Sequence, residues 1–243
     1  MTARPLEGRR IAVLRVGGDV DAIGEALVDC GADATTISVG TIVDRTDAEV
    51  AAAVGELVRF RWAAVTSANA ARRLVLWAAR WPASVRIAVV GPATAASVEG
   101  VGLEVATVAP GGTARSLASE IGQGPVLFLA AASARDALVE ELLARSIDVT
   151  TVVAYDVVPR ELDLADTVSL VGSDAVVAMS PQAIDALCAI DDDTRPAARE
   201  IPLIAIGPTT AVHAMALAWP VAAIAPSRAA DAVCAAAVLA LNG

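Results

Sequence analysis

Residues Ile11–Val43 and Val126–Val158 align without a gap at a constant separation of 115 residues. Asp21 meets Asp136, Leu27 meets Leu142, Asp33 meets Asp148, and Thr35-Thr36 meets Thr150-Thr151. Each copy reads strand, loop, helix, strand. The apolar openings IAVL and VLFL suit buried strands, and the middles IGEALVDCGA and LVEELLARSI have helical periodicity. The ends, TTISVGTIV and TTVVAYDVV, are β-branched and extended. A chain that repeats one such unit must place it twice in its fold, and this restricts the architecture more than any other feature.

A second pair of repeats lies between and after these. Ala63–Ala70 reads AAVTSANA and Ala175–Gln182 reads AVVAMSPQ, each an apolar strand ending in a hydroxyl-rich turn before a helix. Ile87–Ala95 (IAVVGPATA) and Leu203–Ala211 (LIAIGPTTA) read as a strand, then Gly-Pro, then a Thr suited to cap a helix. Extended segments Val105–Pro110 and Val221–Pro226 follow, then helices over Thr113–Ile121 and Ala229–Leu241. Alternating strands and helices predict an α/β fold with parallel sheets. The units run A, B, A′, B′. Either each half pairs A with B, or the chain crosses over so that A joins B′ and B joins A′. The residues alone leave both arrangements open.

With 243 residues, the chain can bury one large or two small cores, and a 56% hydrophobic, 3% aromatic composition makes those cores aliphatic. The net charge is −10 and every one of the 18 basic residues is Arg, so nucleic acid is not an expected partner. The most apolar stretch, Ala214–Pro226, is too short to span a bilayer and contains Pro220. No membrane association is expected. Met1–Arg10 has no following signal-like apolar region, and Cys30, Cys188 and Cys234 form neither a metal spacing nor a disulfide framework. A cytoplasmic location is expected.

In open parallel sheets, ligands bind beyond the carboxyl ends of the strands. Those ends here carry Arg15-Val16-Gly17-Gly18, Thr66-Ser67-Ala68-Asn69, Gly91-Pro92-Ala93-Thr94, Ser180-Pro181-Gln182 and Gly207-Pro208-Thr209-Thr210. Hydroxyls, glycines and helix N-termini suit carboxylates or phosphates. The same hydroxyls also serve as ordinary helix caps, and the Gly-Pro turns as fold devices. A dinucleotide fingerprint Gly-x-Gly-x-x-Gly is absent. His213, the only histidine, reads as a surface or capping residue. Asp191-Asp192-Asp193 reads as a solvated loop, and the four tryptophans as core or rim. Tyr155 differs from all of these. It is the only tyrosine, and its repeat partner is Gly40, so the duplication does not account for it. A phenol can protonate a leaving oxygen.

Taken together, Arg15, Thr66–Ala70, Val90–Ala95, Pro110–Leu117, Val152–Pro159 (VVAYDVVP), Ser180-Pro181 and Ile206–Ala211, in this order and spacing, resemble the uroporphyrinogen-III synthase family. The resemblance implies the crossed arrangement: two doubly wound parallel-sheet domains joined by a two-stranded β linker. Domain 1 would comprise residues 1–37 and 160–243, the linker 38–44 and 150–159, and domain 2 residues 45–149. It implies a cyclising lyase that closes linear hydroxymethylbilane with loss of water and inversion of ring D, using no cofactor and no metal, within tetrapyrrole biosynthesis. Tyr155 would assist hydroxyl departure. Arg15, Ser67, Asn69, Thr94, Ser180, Thr209 and Thr210 would bind the substrate in a cleft, and hydroxymethylbilane synthase would be a partner. The chain departs from the family pattern in three places. Ala130-Ala131-Ala132 stands where a Gly and a basic residue are usual, with only Arg135 following. Ala218 stands near a usual Gly, and Ile37–Val43 lacks a usual Pro. A non-catalytic, synthase-like regulatory relative that senses a ligand or binds a partner, and a two-domain binder of periplasmic type, are the competing readings.

Overall fold

The computed structural model describes residues 4–17, 22–46, 48–132 and 137–242. Gly18, Asp21, Arg135 and Asp136, named above, lie outside the described residues. Ten strands alternate with helices. The chain opens β1 (Arg10–Val16), α1 (Ala22–Asp29), β2 (Asp33–Asp44) and α2 (Ala48–Gly55). It continues β3 (Trp62–Val65), α3 (Ala68–Arg73), β4 (Arg86–Val89), α4 (Pro92–Glu99), β5 (Val105–Val108) and α5 (Ala114–Glu120). The second copy of the repeat gives β6 (Val126–Ala131), α6 (Ala137–Ala144) and β7 (Val149–Pro159). The rest is α7 (Leu164–Val171), β8 (Ala175–Ala178), α8 (Pro181–Cys188), α9 (Arg195–Glu200), β9 (Leu203–Ala205), α10 (Pro208–Ala216), β10 (Val221–Ile224) and α11 (Ala230–Asn242).

Two compact units result: residues 1–42 with 158–243, and residues 43–157. In the first unit the strand order is β10-β9-β8-β1-β2, with every pairing parallel. In the second it is β7-β6-β3-β4-β5, again parallel. Each unit therefore repeats the doubly wound order 2-1-3-4-5, counted from β1 in one and β6 in the other. The strand order reverses between β1 and β8, and between β6 and β3. That reversal opens a crevice at the carboxyl ends of those strands.

The alternation along β1 shows why this sheet is covered on both faces. Ile11 and Val13 belong to one apolar cluster, with Leu27 of α1 and Val233 and Ala237 of α11. Ala12 and Leu14 belong to another, with Leu170, Leu187 and Trp219. All four strand residues are buried, as a parallel sheet covered on both faces requires. In the second unit, Trp62, Ala64 and Phe128 pack with Leu117, Leu138 and Leu142, while Ala63, Val65, Leu127 and Leu129 are equally buried. Ala218 lies at φ 57°, the left-handed region that glycine occupies without strain. Among the described residues, no helix is long and apolar enough to cross a membrane.

The duplication reaches the details of the backbone. The β1–β2 register slips between Arg15 and Val16, so that Val16 meets Gly40. The β6–β7 register slips between Ala130 and Ala131, so that Ala131 meets Tyr155. Just beyond, Gly17 N–H donates to Gly40 O at 2.9 Å and Ala132 N–H donates to Tyr155 O at 3.1 Å. Arg45 N–H donates to Ala154 O in the second unit, and Arg160 N–H to Val39 O in the first. Such bulges redirect side chains at the end of a strand pair. Here the same redirection aims a tyrosine in one unit and a glycine in the other.

Candidate active site

Because all strands within a unit are parallel, the expected site residues collect at the carboxyl edge of their own sheet. In the second unit these are Ser67, Asn69, Thr94 and Tyr155. In the first they are Arg15, Ser180, Thr209 and Thr210. Ser67 and Ser180 stand at the strand-order reversals, one after β3 and one after β8.

Ser67 is the N-cap of α3, and its Oγ accepts a hydrogen bond from Ala70 N–H at 3.0 Å. The same oxygen lies 3.1 Å from Tyr155 Oη. Tyr155 is 4% exposed, and the Arg73 guanidinium stands 5.5 Å from its ring centroid. Burial raises the phenol's pKa above its ordinary value of 10.0, while the Ser67 hydrogen bond and the Arg73 charge pull against that rise. Tyr155 therefore keeps its proton at physiological pH. Asn69 Oδ1 accepts from Arg72 at 3.1 Å, and Asn69 O accepts from Arg73 at 3.3 Å. Asn69 thus holds Arg73, which stands beside the phenol, and its neighbour Arg72.

Thr94 and Thr210 are both buried, at 4% and 2% exposure. The sequence suggested them as caps; the structure corrects this. Gly91 and Gly207 hold the cap positions, Pro92 and Pro208 begin the helices, and each threonine lies in the first turn. Thr209 beside Thr210 is exposed. Ser180 is the N-cap residue of α8, yet its side chain makes no cap bond, and its buried Oγ has no hydrogen-bond partner among the described residues. As N-caps, Ser67 and Ser180 are equivalent, one residue off the end-to-end alignment of Ala63–Ala70 with Ala175–Gln182. Arg15, the penultimate residue of β1, pairs with Ser38 and is half-buried.

Four of the described helices, α4, α8, α9 and α10, begin at N-caps whose own side chains make no cap bond, and three of them, α4, α8 and α10, follow directly on strands. By contrast, Thr113 and Asp163 close α5 and α7 with capping boxes. Uncapped N–H groups and the helix dipole favour anionic groups. Gly91 and Gly207 are extended, and a Cβ on either would meet nothing within 4 Å. Neither backbone strain nor internal packing requires glycine there, so the fold leaves those positions open to approach from outside.

The other candidates fall away from this chemistry. His213 Nε2 lies 2.7 Å from Asp185 Oδ1 on the helix surface. Asp191 Oδ1 accepts from Asp193 and Thr194 N–H groups, which holds this exposed carboxyl below its usual range. Trp62, Trp77 and Trp219 are buried. Among the described residues, no group of three or more His, Cys, Asp or Glu is placed to hold a metal ion. A concavity of about 840 Å³ is lined by Arg59, Arg61, Trp62, Arg86 and Gln123 at the amino ends of β3 and β4. None of the expected site residues lines it. Sequence reasoning missed Arg73 and its ion-pair partner Asp44, 2.5 Å from Nε. The Arg72-Arg73 pair one turn after a cap was a visible signal, but nothing local marks Asp44.

The fold and this edge define a protein of two doubly wound α/β units whose strand ends present hydroxyls, open helix N-termini and one buried phenol. The profile of uroporphyrinogen-III synthase HemD matches residues 21–235. The chain belongs to the uroporphyrinogen-III synthase family. It is similar to uroporphyrinogen-III synthetase from Helicobacter pylori 26695, with 18% identity and a TM-score of 0.65, covering 95% of this chain and 98% of that one. A mutant uroporphyrinogen III synthase from the extremely thermophilic bacterium Thermus thermophilus matches at 18% identity and TM-score 0.60, covering 96% and 99%. At such identity these two likenesses speak for the fold. No curated protein aligns with the chain at a significant level.

Proposed function

We infer that the chain acts as a uroporphyrinogen-III synthase, closing hydroxymethylbilane to uroporphyrinogen III, with Tyr155 as the proton donor to the departing hydroxyl. The observation that carries the role of Tyr155 is its contact with Ser67 at the strand-order reversal. Ser67 Oγ accepts from Ala70 N–H, so its own proton is free to go to Tyr155 Oη. The phenol proton is then free to point at a leaving oxygen. Such a chain polarises each member in the same direction.

The terminal C–O bond breaks with its electron pair on oxygen, which takes the phenol proton and leaves as water. The pyrrole nitrogen supplies electrons to the carbon left behind, giving an azafulvene. Attack through a spiro intermediate inverts ring D and closes the macrocycle. The ring proton released at closure restores the phenol. An electron-rich pyrrole expels hydroxide readily, so one modest acid suffices and no triad is needed. Arg15, Ser180, Thr209, Thr210, Ser67, Asn69 and Thr94 hold the substrate's carboxylates and backbone, aided by the open N–H groups of α4, α8 and α10.

The test is an assay with hydroxymethylbilane that separates isomer III from the isomer I formed spontaneously. Isomer III is expected from the unmodified protein; isomer I alone would refute the reading. Tyr155→Phe keeps the ring and removes the donor. It is expected to fold and to lower kcat by about 10²-fold, the lower range for general acid help. Unchanged kcat, with chemistry rate-limiting, would refute the acid role alone.

A further inference from the structure

We infer that Arg73, held in place by Asp44, is a positioning residue for Tyr155: it fixes the ring from its face and stabilises the negative charge that the oxygen acquires as it gives up its proton. This rests on reading Tyr155 as the proton donor. Arg73 Nε lies 2.5 Å from Asp44 Oδ1, and Nη1 donates to Asn69 O at 3.3 Å. These two anchors fix the guanidinium plane, whose centre stands 5.5 Å from the phenol centroid. The Arg73 side chain is only 16% exposed and Tyr155 4%, so water screens their interaction poorly. A cation held there does little for the neutral phenol and more for the phenolate, so its help grows as the proton leaves.

The duplication supplies an internal control. The matching bulges and the matching bonds to Gly40 O and Tyr155 O make Gly40 the counterpart of Tyr155. At the same separation, the counterpart of Asp44 is Pro159. Counted from the equivalent N-caps Ser67 and Ser180, the counterpart of Arg73 is Ala186. The phenol, the guanidinium and the carboxylate are thus present together in one unit and absent together in the other. The shared fold devices behave differently: Ser67 and Ser180, Gly91 and Gly207, and Thr94 and Thr210 occur in both. An arginine needed only to seat α3 on its sheet would be needed in α8 as well. Of the two serine hydroxyls, Ser180 Oγ, which has no phenol to meet, is the one without a hydrogen-bond partner among the described residues.

Tyr155 is the only tyrosine, so its ionisation can be followed by tyrosinate absorbance without assignment. The titration is run with circular dichroism to show that the chain stays folded. In Arg73→Gln the midpoint is expected to move upward, and Arg73→Lys is expected to recover part of the shift. If Arg73→Gln does not fold, Arg73→Met, which keeps the aliphatic stem, takes its place. In the isomer III assay, loss of the guanidinium is expected to lower kcat about tenfold with KM nearly unchanged. On a Tyr155→Phe background the same change is expected to add nothing, because the two act as a unit. An unmoved midpoint, or full additive slowing on that background, would overturn the inference. Normal kcat in Tyr155→Phe would instead refute the proton-donor reading, whatever the titration gives.

Discussion

The two equivalent serines differ in what their hydroxyls bond. Ser67 caps α3 and meets Tyr155, so Ser67→Ala removes both bonds. Loss of a capping hydroxyl typically costs about 1 kcal/mol. Ser180 caps nothing, and its buried Oγ lacks a partner among the described residues, a situation that costs about 1–3 kcal/mol rather than stabilising the fold. Ser180→Ala is therefore expected to leave the unfolding midpoint unchanged or raise it, while Ser67→Ala lowers it. If Ser180 bonds substrate, Ser180→Ala raises KM for hydroxymethylbilane despite that stability. A destabilised Ser180→Ala protein with normal KM would remove Ser180 from the binding set. Tyr155 was legible in the sequence because it broke the repeat. The Arg73–Asp44 pair was not, since it spans 29 residues of chain and exists only once β2 and α3 are side by side.

At the scale of elements, the helix starts divide into closed and open ones, and residue chemistry accounts for part of the division, since Ser180 carries a hydroxyl and still leaves α8 open. The Thr113 and Asp163 side chains accept from the Ser116 and Asp166 N–H groups, and the Ser116 and Asp166 side chains accept in turn from the Thr113 and Asp163 N–H groups. Gly91 and Gly207 have no side chain to do so. Their extended backbone accepts alanine, and the added methyl would touch no protein atom. Gly91→Ala and Gly207→Ala are thus expected to fold with stability unchanged or higher by about 0.4–1 kcal/mol, because the unfolded chain loses freedom. If substrate carboxylates approach these turns, the methyl groups collide with them and KM rises while the melting temperature does not fall. A normal KM in both variants would move carboxylate binding elsewhere. The sequence made these turns visible as Gly-Pro repeats. It misassigned the cap to the threonines, because which residue leaves the extended region first is decided by how β4 and β9 end, not by local preference.

For the molecule as a whole, the α/β class was legible because a duplicated strand–helix–strand pattern admits few solutions. The pairing of strands was not, since A and B′ are joined only by contacts distant in sequence, such as Ile11 beside Ala175. Charge is the other property of the whole chain, and it works against the proposed substrate. The protein carries −10, and uroporphyrinogen precursors are octacarboxylates. At low ionic strength the two repel over long distances, since the Debye length is about 30 Å at 0.01 M salt; at 0.15 M it contracts to about 8 Å. The local partners at the strand ends act within a few ångströms and are screened far less. Raising salt across this range is therefore expected to increase kcat/KM at low substrate concentration, with kcat little changed, because encounter is eased and chemistry is not. If Arg15 holds a substrate carboxylate, Arg15→Gln removes a local attraction and adds to the net negative charge. Its salt dependence is expected to rise more steeply from a lower starting value. A fall in kcat/KM with salt in the unmodified protein would mean that the arginines near the strand ends dominate the field the substrate meets. Loss of that fall in Arg15→Gln would then assign the attraction to Arg15.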